Sequence, residues 1–306
     1  MDVTRTPTHE IVSTLARAHA ARRATPSGRA VLVGLIGRGI GRSRSPHMHR
    51  LEGERLGMTY SYELIDFDTL GLSDAALAEV VATAAAAGFA GLNITHPFKQ
   101  AVIPHLTALS PEAAAIGAVN TIVFEGGRSI GHNTDSWGFG ESLGLGLPDA
   151  QLDHVIQFGA GGGGAAVAYA LLERGTAELA VFDENIKRAT LLVARLSERF
   201  GRSVSAIVSP LPTLERASGA VNATPVGMDK YPGTPFDPAV LTPRQWVADI
   251  VYFPAETELL RQSRAIGCRV LPGTGMAIFQ AVKAFELFTG IAPDRDAMRR
   301  HFGAAA

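Results

Sequence analysis

A glycine-rich segment in the middle of the chain has the spacing of a loop that binds a dinucleotide pyrophosphate. Residues 159–164 fit the pattern G-x-G-x-x-G, after a strand predicted over 154–158 and before a helix predicted over 165–174. Glycines let the backbone approach the phosphates, and the free N–H groups of the helix N-terminus attract their charge. This context favours a dinucleotide site over an ordinary glycine-rich turn. The predicted cofactor contacts are Gly159, Ala160, Gly161, Gly162, Gly163 and Gly164.

An acidic pair predicts which dinucleotide is preferred. The next strand, predicted over 179–182, ends in Asp183 and Glu184, about 20 residues beyond the glycines. A carboxylate there accepts hydrogen bonds from the adenosine ribose hydroxyls and repels a 2′-phosphate. We therefore predict NAD rather than NADP as the cofactor. Arg188 either contacts the adenosine end of the cofactor or is an ordinary surface arginine of a helix, and the sequence leaves both open.

Three polar clusters in the first half of the chain come where predicted strands end. In the cluster at 43–46, two serine hydroxyls and the start of a predicted helix form a receptor for a carboxylate, although Ser45 is also a plausible helix N-cap. The other clusters lie at 93–99 and at 120–121 with 133–135. Their Asn, Thr, Lys and Asp side chains suit a polyhydroxylated ring, whereas each cluster alone is equally compatible with ordinary loop chemistry.

Strands that alternate with helices are predicted to position these clusters. The alternation indicates α/β architecture with mainly parallel sheets. We expect two domains: an N-terminal α/β substrate domain over 31–134, to which C-terminal helices at 276–306 return, and a Rossmann-like dinucleotide-binding domain over 135–275, with the active site between them. Further strands are predicted over 31–37, 60–65, 91–95, 121–124, 129–132, 219–222, 246–250 and 269–271, and helices over 46–56, 70–87, 111–116, 186–200 and 275–289.

Composition argues against several classes of protein. With 28 basic and 29 acidic residues the net charge is −1, which argues against nucleic-acid binding and gives no reason to propose a membrane surface as partner. The one cysteine, Cys268, excludes an intramolecular disulfide, and its apolar neighbours predict a buried thiol. His47 and His49 do not share a helix face, so no metal site is predicted.

The first 30 residues are predicted to be an extension outside both domains. They are rich in Ala and Arg, with a helix expected over 8–23, and they lack the apolar segment of a secretory signal, although a transit peptide is the alternative. Because no run of 18 apolar residues occurs in the chain, no transmembrane helix is expected. We expect a cytoplasmic protein whose partner is a small molecule, either a monomer or a homodimer.

Taken together, the motifs resemble the shikimate dehydrogenase family over residues 31 to 302. Eight of them occur in the family's order, which makes the resemblance highly specific. They are S-R-S-P at 43–46, N-I-T-H-P-F-K at 93–99, G-A-V-N-T at 117–121, N-T-D at 133–135, G-A-G-G at 159–162, N-A-T-P-V-G-M at 222–228, D-I-V-Y-x-P at 249–254 and M-A-I-F-Q at 276–280.

The resemblance implies an oxidoreductase that acts on the C3 hydroxyl of shikimate or quinate. It implies Lys99 and Asp135 as the catalytic pair that moves the hydroxyl proton, without deciding which of them is the base. The remaining implied contacts are Ser43 and Ser45 for the carboxylate, Thr95, Asn120 and Gln280 for the ring hydroxyls, Tyr252 on the substrate side of the nicotinamide, and Thr224, Met228 and Val251 for the cofactor.

One departure from the family pattern bears on the cofactor. Members that use NADP usually carry Asn-Arg-Thr after the second Rossmann strand, where this chain has Asp183, Glu184 and Asn185. The chain therefore resembles the NAD-dependent quinate/shikimate branch, and NAD preference favours oxidation in quinate catabolism over a dedicated role in the shikimate pathway of aromatic amino acid biosynthesis. Two further hypotheses are a dehydrogenase of a related, for example aminated, ring acid and a non-catalytic regulator that senses NAD. The presence of Lys99 and Asp135 counts against the regulator.

Overall fold

A computed structural model describes residues 29–201 and 203–304. The helix expected over 8–23 lies outside the described residues. Contacts divide the chain into a first unit, described over 29–114, 118–134 and 281–304, and a second unit over 115–117 and 135–280. The return to the first unit thus comes at residue 281, later than the predicted 276.

Strands and helices alternate through both units, as the apolar patterning predicts. The strands are β1 (Ala30–Gly37), β2 (Thr59–Asp66), β3 (Gly91–Ile94), β4 (Ala108–Leu109), β5 (Thr121–Glu125), β6 (Arg128–His132), β7 (His154–Phe158), β8 (Glu178–Phe182), β9 (Val204–Ile207), β10 (Gly219–Asn222), β11 (Trp246–Asp249) and β12 (Arg269–Leu271). The helices are α1 (Ser45–Arg55), α2 (Leu77–Ala86), α3 (Phe98–Ala101), α4 (Pro111–Ile116), α5 (Thr134–Gly146), α6 (Gly162–Glu173), α7 (Ile186–Phe200), α8 (Leu211–Arg216), α9 (Glu258–Ile266), α10 (Thr274–Thr289) and α11 (Arg295–Ala304), with 3-10 turns at Asp74–Ala76, Ile103–His105 and Pro238–Val240.

The first unit holds a mixed six-stranded sheet in the order β2-β1-β3-β5-β6-β4. Strand β1 contains only apolar residues and glycine, which is typical of a strand covered on both faces, and it pairs in parallel with β2 and β3. Strand β5 runs antiparallel to β3, with Thr121 opposite Asn93. The carboxyl ends of β1 and β3 therefore share one edge of the sheet with the amino end of β5. All three polar clusters of the first half border that edge.

The second unit holds a fully parallel six-stranded sheet in the order β12-β11-β10-β7-β8-β9. The chain winds outward from β7 to β9 and then resumes on the other side of β7 with β10. This is the doubly wound arrangement whose switch point, between β7 and β10, is the usual place for a dinucleotide. The predicted fold class, an N-terminal α/β domain followed by a Rossmann-like domain, is confirmed.

The last helices complete the core of the first unit. The buried ring of His49 on α1 lies 5.6 Å from that of Phe285 and 6.1 Å from that of Phe288, both on α10. Nearby, the fully buried carboxylate of Glu52 accepts a hydrogen bond of 2.7 Å from the backbone N–H of Asp294, just before α11. The C-terminal residues thus supply both apolar and polar partners to α1.

Two predicted helix starts are wrong, and the segment of the predicted domain junction is helical. Helix α2 begins at Leu77 rather than at residue 70, because Gly71 has φ +64° in the preceding turn and a right-handed helix cannot contain that conformation. Helix α6 begins at Gly162, inside the glycine run, rather than at 165. Helix α5 occupies the segment that was predicted only as a domain junction.

Within the described ranges, each helix is too short or too polar to span a bilayer.

Candidate active site

The glycine loop after β7 requires glycine at its first position. Gly159 has φ +100°, and a Cβ built there would lie 2.6 Å from the carbonyl oxygen of Ala223. Its N–H donates to the carbonyl of Phe182 at 2.7 Å, which ties the loop to the end of β8. The backbone therefore turns sharply at the point where β7, β8 and β10 end side by side.

The start of α6 is held close to this turn. A Cβ on Gly164 would overlap the carbonyl of Gly159, so α6 packs against the loop without side chains between them. The amide of Gln157 donates from Nε2 to the carbonyls of both Gly159 and Gly164, each at 2.8 Å. By contrast, Gly161 caps α6, is exposed, and would have nothing within 4 Å of its Cβ. The loop thus has open space beside the free N–H groups of a 12-residue helix, as a pyrophosphate requires.

The carboxylate of Asp183 sits at the end of β8 beside this loop. It accepts hydrogen bonds from the backbone N–H of Ala160 at 2.8 Å and of Asn185 at 2.9 Å. Asp183 is half-buried, whereas Glu184 and Arg188 are exposed. A carboxylate fixed by two backbone donors keeps lone pairs for further hydrogen bonds and places a negative charge beside the glycine loop.

A buried polar network holds the ends of β10 and β11. The carboxylate of Asp249 accepts hydrogen bonds from Asn222 Nδ2 at 3.0 Å, from the N–H of Val251 at 2.9 Å and from Thr257 Oγ1 at 2.7 Å. Asn222 in turn accepts from the N–H and the hydroxyl of Thr224, at 3.0 and 2.7 Å. The loops that carry Thr224 and Val251 are therefore cross-linked through Asp249.

Burial raises the pKa of Asp249 to about 6, and the hydrogen bonds from Val251, Thr257 and Asn222 offset part of that effect. The predicted site residues near this network differ in exposure. Met228 and Tyr252 are each 38% exposed, whereas Val251 is 5% exposed.

In the first unit, the loop after β1 is anchored by a carboxylate. Asp66, at the end of β2, accepts hydrogen bonds from the N–H groups of Gly39 and Ile40, both at 3.0 Å. Burial opposes ionisation of Asp66, but hydrogen bonds from backbone N–H groups outweigh it and hold its pKa below the usual range. This anchor fixes the path of the chain into Ser43 and Ser45.

The prediction that Ser45 caps α1 is wrong. Ser45 is the first helical residue, and Arg44 occupies the N-cap position without a side-chain cap. The N–H of Ser45 instead donates to Ser43 Oγ at 3.4 Å, and both serines are half-buried. The hydroxyl of Ser45 is thus not committed to its own helix, which leaves it available to a ligand.

Backbone pairing gathers the second and third clusters at the same edge of the sheet. The N–H of Thr95 donates to the carbonyl of Ile36 at 2.9 Å, and the N–H of Val119 donates to that of Lys99 at 2.7 Å. Asn120 pairs with Ile94 through a 2.7 Å backbone hydrogen bond. Thr95 and Lys99 are half-buried, as a side chain that contacts a small ligand would be.

Asn120 also fixes the start of α5. Its Oδ1 accepts from the backbone N–H of Thr134 at 2.7 Å, and its Nδ2 donates to Thr134 Oγ1 at 2.9 Å. Asp135 follows directly and is 5% exposed. Further along α5, a Cβ on Gly138 would lie 2.6 Å from the backbone nitrogen of Gln280, so α5 and α10 approach closely in the second unit.

Comparison with known proteins shows which family this chain belongs to. A family model described as "Shikimate dehydrogenase substrate binding domain" matches residues 35–122, and one described as "Shikimate 5'-dehydrogenase C-terminal domain" matches 273–301. The shikimate dehydrogenase (NADP(+)) of Streptomyces avermitilis is 54% identical over 266 residues, which cover 86% of this chain and 91% of that protein. The chain belongs to the shikimate dehydrogenase family.

Similar proteins of the shikimate dehydrogenase family are named for NAD(+) instead of NADP(+). The quinate/shikimate dehydrogenase (NAD(+)) of Corynebacterium efficiens is 49% identical over 276 residues, covering 89% of this chain and 97% of the relative. The solved quinate dehydrogenase of Corynebacterium glutamicum in complex with NAD superposes with a TM-score of 0.85 at 47% identity, covering 90% of this chain and 100% of the other. Because the chain belongs to this family, the prediction of a dehydrogenase with a nicotinamide dinucleotide is confirmed. The relatives of this chain differ between NAD and NADP.

Within this shikimate dehydrogenase framework, the predicted site residues fall into two groups. The first unit carries Ser43, Ser45, Thr95, Lys99 and Asn120 around one edge of its sheet. The second unit carries Asp135, Tyr252, Gln280 and the cofactor residues. Their roles stay predictions, as do the assignments of 31–134 with 276–306 to substrate binding and of 135–275 to cofactor binding.

Several residues that hold the site were missed by sequence reasoning. Asn93 was named only as part of a polar cluster, Asp249 stands inside a family motif without a role of its own, and Gln157, Tyr62 and Thr257 lie outside the motifs. All of them are buried side chains with a polar group, and Asn93, Gln157 and Asp249 stand on strands that otherwise contain mostly apolar residues. That contrast was the signal available, since a buried polar group must find partners.

Proposed function

We propose that this protein is an NAD-dependent dehydrogenase that oxidises the C3 hydroxyl of shikimate and of quinate, and reduces the corresponding ketones. The observation that carries the proposal is Asp183, fixed by two backbone N–H groups beside an open glycine loop. It supports a dinucleotide with free ribose hydroxyls over one with a 2′-phosphate. The NAD-named Corynebacterium relatives support the same choice.

The residues of the second unit fit the cofactor. The glycines leave room for the pyrophosphate at Gly161, and the start of α6 offers N–H groups to it. Thr224, Met228 and Val251 are proposed for the nicotinamide end, because the Asp249 network fixes the loops that carry Thr224 and Val251. Bound NAD would supply the acceptor for the hydride.

Most of the residues proposed to bind the ring acid belong to the first unit. Ser43 and Ser45 would hold the carboxylate of the acid, since both are half-buried beside the start of α1 and neither occupies its N-cap position. Thr95 and Asn120 would hold ring hydroxyls, together with Gln280, whose Nε2 donates to the carbonyl of Ala277 at 2.9 Å and keeps its Oε1 as an acceptor. Tyr252 is proposed on the substrate side of the nicotinamide.

Lys99 and Asp135 are proposed as the proton-transfer pair. A hydride leaves the C3 carbon only as the proton of its hydroxyl is removed, and a lysine beside a carboxylate can pass that proton on. Shikimate and quinate share the carboxylate and the reacting hydroxyl, which is why the proposal includes both. We also expect a cytoplasmic enzyme, and this localisation stays a prediction.

Initial rates test the proposal when NAD and NADP are each combined with quinate and shikimate at one pH. Turnover of either acid with NAD, at a kcat/KM well above that with NADP, is the expected result. Lys99→Met should lower kcat by about 100-fold or more while the affinity for NADH is unchanged, as expected for a lost proton-transfer group. Strong preference for NADP would contradict the role given to Asp183. A folded protein that turns over neither acid would contradict the substrate.

A further inference from the structure

We propose that Tyr62, on β2, is a positioning residue for the ring acid and acts through a directed chain of hydrogen bonds that ends on Asn120. The chain runs from the Tyr62 hydroxyl to Asn93, then to Thr121 and then to Asn120. The inference rests on the proposed function, because it takes Asn120 as a ligand of a ring hydroxyl.

The first step of the chain has a defined direction. Asn93 Nδ2 lies 3.3 Å from the backbone carbonyl oxygen of Asn120, which can only accept a hydrogen bond. The amide nitrogen of Asn93 must therefore face that carbonyl, and its Oδ1 must face the other way. There it accepts a 2.7 Å hydrogen bond from the hydroxyl of Tyr62.

The second and third steps follow from the first. The same Nδ2 of Asn93 donates to Thr121 Oγ1 at 3.0 Å, so the Thr121 hydroxyl keeps its own hydrogen for another acceptor. That acceptor is Asn120 Oδ1, at 3.0 Å. Asn120 Oδ1 also accepts from the backbone N–H of Thr134, so its amide orientation agrees with the direction of the chain.

The end of the chain defines what Asn120 offers to a ligand. Asn120 Oδ1 already accepts from Thr121 and Thr134, and one Nδ2 hydrogen is directed at Thr134 Oγ1. Within the described residues, the second Nδ2 hydrogen therefore remains for a substrate hydroxyl. Asn120 is thereby set as a donor. A ligand oxygen that accepts, such as that of a ring hydroxyl, matches it.

Because its members are buried, this chain of hydrogen bonds depends on the Tyr62 hydroxyl. Tyr62 and Asn93 are each 5% exposed, Thr121 is fully buried and Asn120 is 3% exposed. Solvent therefore has little access to replace a lost partner. Removing the Tyr62 hydroxyl leaves Asn93 Oδ1 as a buried acceptor without that donor, and relief by movement of Asn93 displaces Thr121 and Asn120.

The neighbouring Tyr60 offers a matched control. It lies on the same strand and is also buried, at 7% exposed. Its hydroxyl pairs with His49 Nδ1 at 3.0 Å and takes no part in the chain of hydrogen bonds from Tyr62 to Asn120. Tyr62→Phe and Tyr60→Phe each remove one buried phenolic hydroxyl from β2. They should lower the melting temperature similarly, whereas only Tyr62→Phe should affect the ring acid.

The experiment measures KM for quinate, for shikimate and for NAD with both variants. We expect Tyr62→Phe to raise KM for the acids about fivefold over Tyr60→Phe, the scale of one impaired buried hydrogen bond, with KM for NAD unchanged. Equal acid KM values in the two variants, or a parallel rise in KM for NAD, would overturn the inference. Absence of turnover by the unsubstituted protein would instead overturn the proposed function, and the inference with it.

A second pair of variants decides the question if Tyr62→Phe does not fold. Thr121→Ser keeps the hydroxyl that links Asn93 to Asn120, while Thr121→Val removes it at similar volume. The inference requires Thr121→Val to raise KM for the acids relative to Thr121→Ser. It is overturned if the two variants bind the acids equally well.

Discussion

Asp183 and Asp249 show how the same side chain serves two purposes at the carboxyl edge of the second sheet. Asp183 is half-buried and held by two backbone N–H groups, so its carboxylate is fixed beside the glycine loop. Asp249 is 2% exposed and is enclosed by Asn222, Val251 and Thr257. The first acid is proposed to select the cofactor, and the second holds together the loops after β10 and β11.

Cofactor preference should shift toward NADP when a substitution removes the charge of Asp183 but keeps the size of its side chain. Asp183→Asn keeps an oxygen that can accept from Ala160 but no longer repels a 2′-phosphate. We expect the ratio of kcat/KM for NADP to that for NAD to rise about tenfold, the scale of one relieved like-charge contact. Glu184→Gln is the control with an exposed acid of the same charge, and a larger shift there than in Asp183→Asn would contradict the assignment.

Asp249 predicts a specific pH dependence of stability. Because burial raises its pKa to about 6, the folded protein holds this proton more tightly than the unfolded chain does between about pH 4 and pH 6. The free energy of unfolding contributed by this group is therefore largest below pH 4 and is lost as the pH rises to 6. Relative to Asp249→Asn, the unsubstituted protein should lose about 2 kcal/mol between pH 4 and pH 7 in urea unfolding. A pH-independent difference would contradict it.

At the scale of elements, glycines determine where helices begin and how closely they pack. Helix α5 was missed because Gly138, Gly140, Gly144 and Gly146 lower its intrinsic helix propensity, each by up to about 1 kcal/mol. The structure supplies the reason for one of them. A Cβ on Gly138 would press on the backbone of Gln280, whereas those on Gly144 and Gly146 would meet only the side chains of Arg174 and Leu271. Packing against other elements thus overrides propensity, and single-chain patterning does not reveal it.

Alanine at two glycines of the proposed cofactor loop should affect stability differently. Gly164→Ala places a methyl group against the carbonyl of Gly159 and should lower both the melting temperature and NADH affinity. Gly161→Ala has open space and an extended backbone with φ −74°, so it should fold normally and lose NADH affinity alone. Thermal unfolding and NADH fluorescence titration separate the two cases. A strongly destabilised Gly161→Ala would contradict this geometry.

For the whole molecule, the order of motifs was enough to predict two α/β domains and the candidate residues of each. Strand order was not predicted, and the partners of Asn93 depend on it. Tyr62 and Asn93 are 31 residues apart and meet because both β2 and β3 pair with β1. Thr121 joins them because β5 pairs with β3. Networks of this kind follow from strand order and register, which local patterns do not contain.

Hydrogen exchange should report the two units separately. We expect quinate or shikimate alone to slow amide exchange in peptides of the first unit, including those from residues 281–304, because these residues complete its core. NAD alone should slow exchange in 154–164 and 219–228. Protection of the C-terminal peptides by NAD and not by the acid would contradict this division.

The return of residues 281–304 to the first unit has a consequence for synthesis on the ribosome. The second unit is continuous over 135–280 apart from three earlier residues, so it emerges from the ribosome before residues 281–304 do. The first unit is made first, yet His49 and Glu52 meet Phe285, Phe288 and Asp294 only after those residues have left the exit tunnel. Since domains generally fold as units during translation, the dinucleotide-binding half should mature before the half that precedes it. A nascent chain whose residues up to 280 are outside the exit tunnel would therefore carry a folded second unit attached to an incomplete first one.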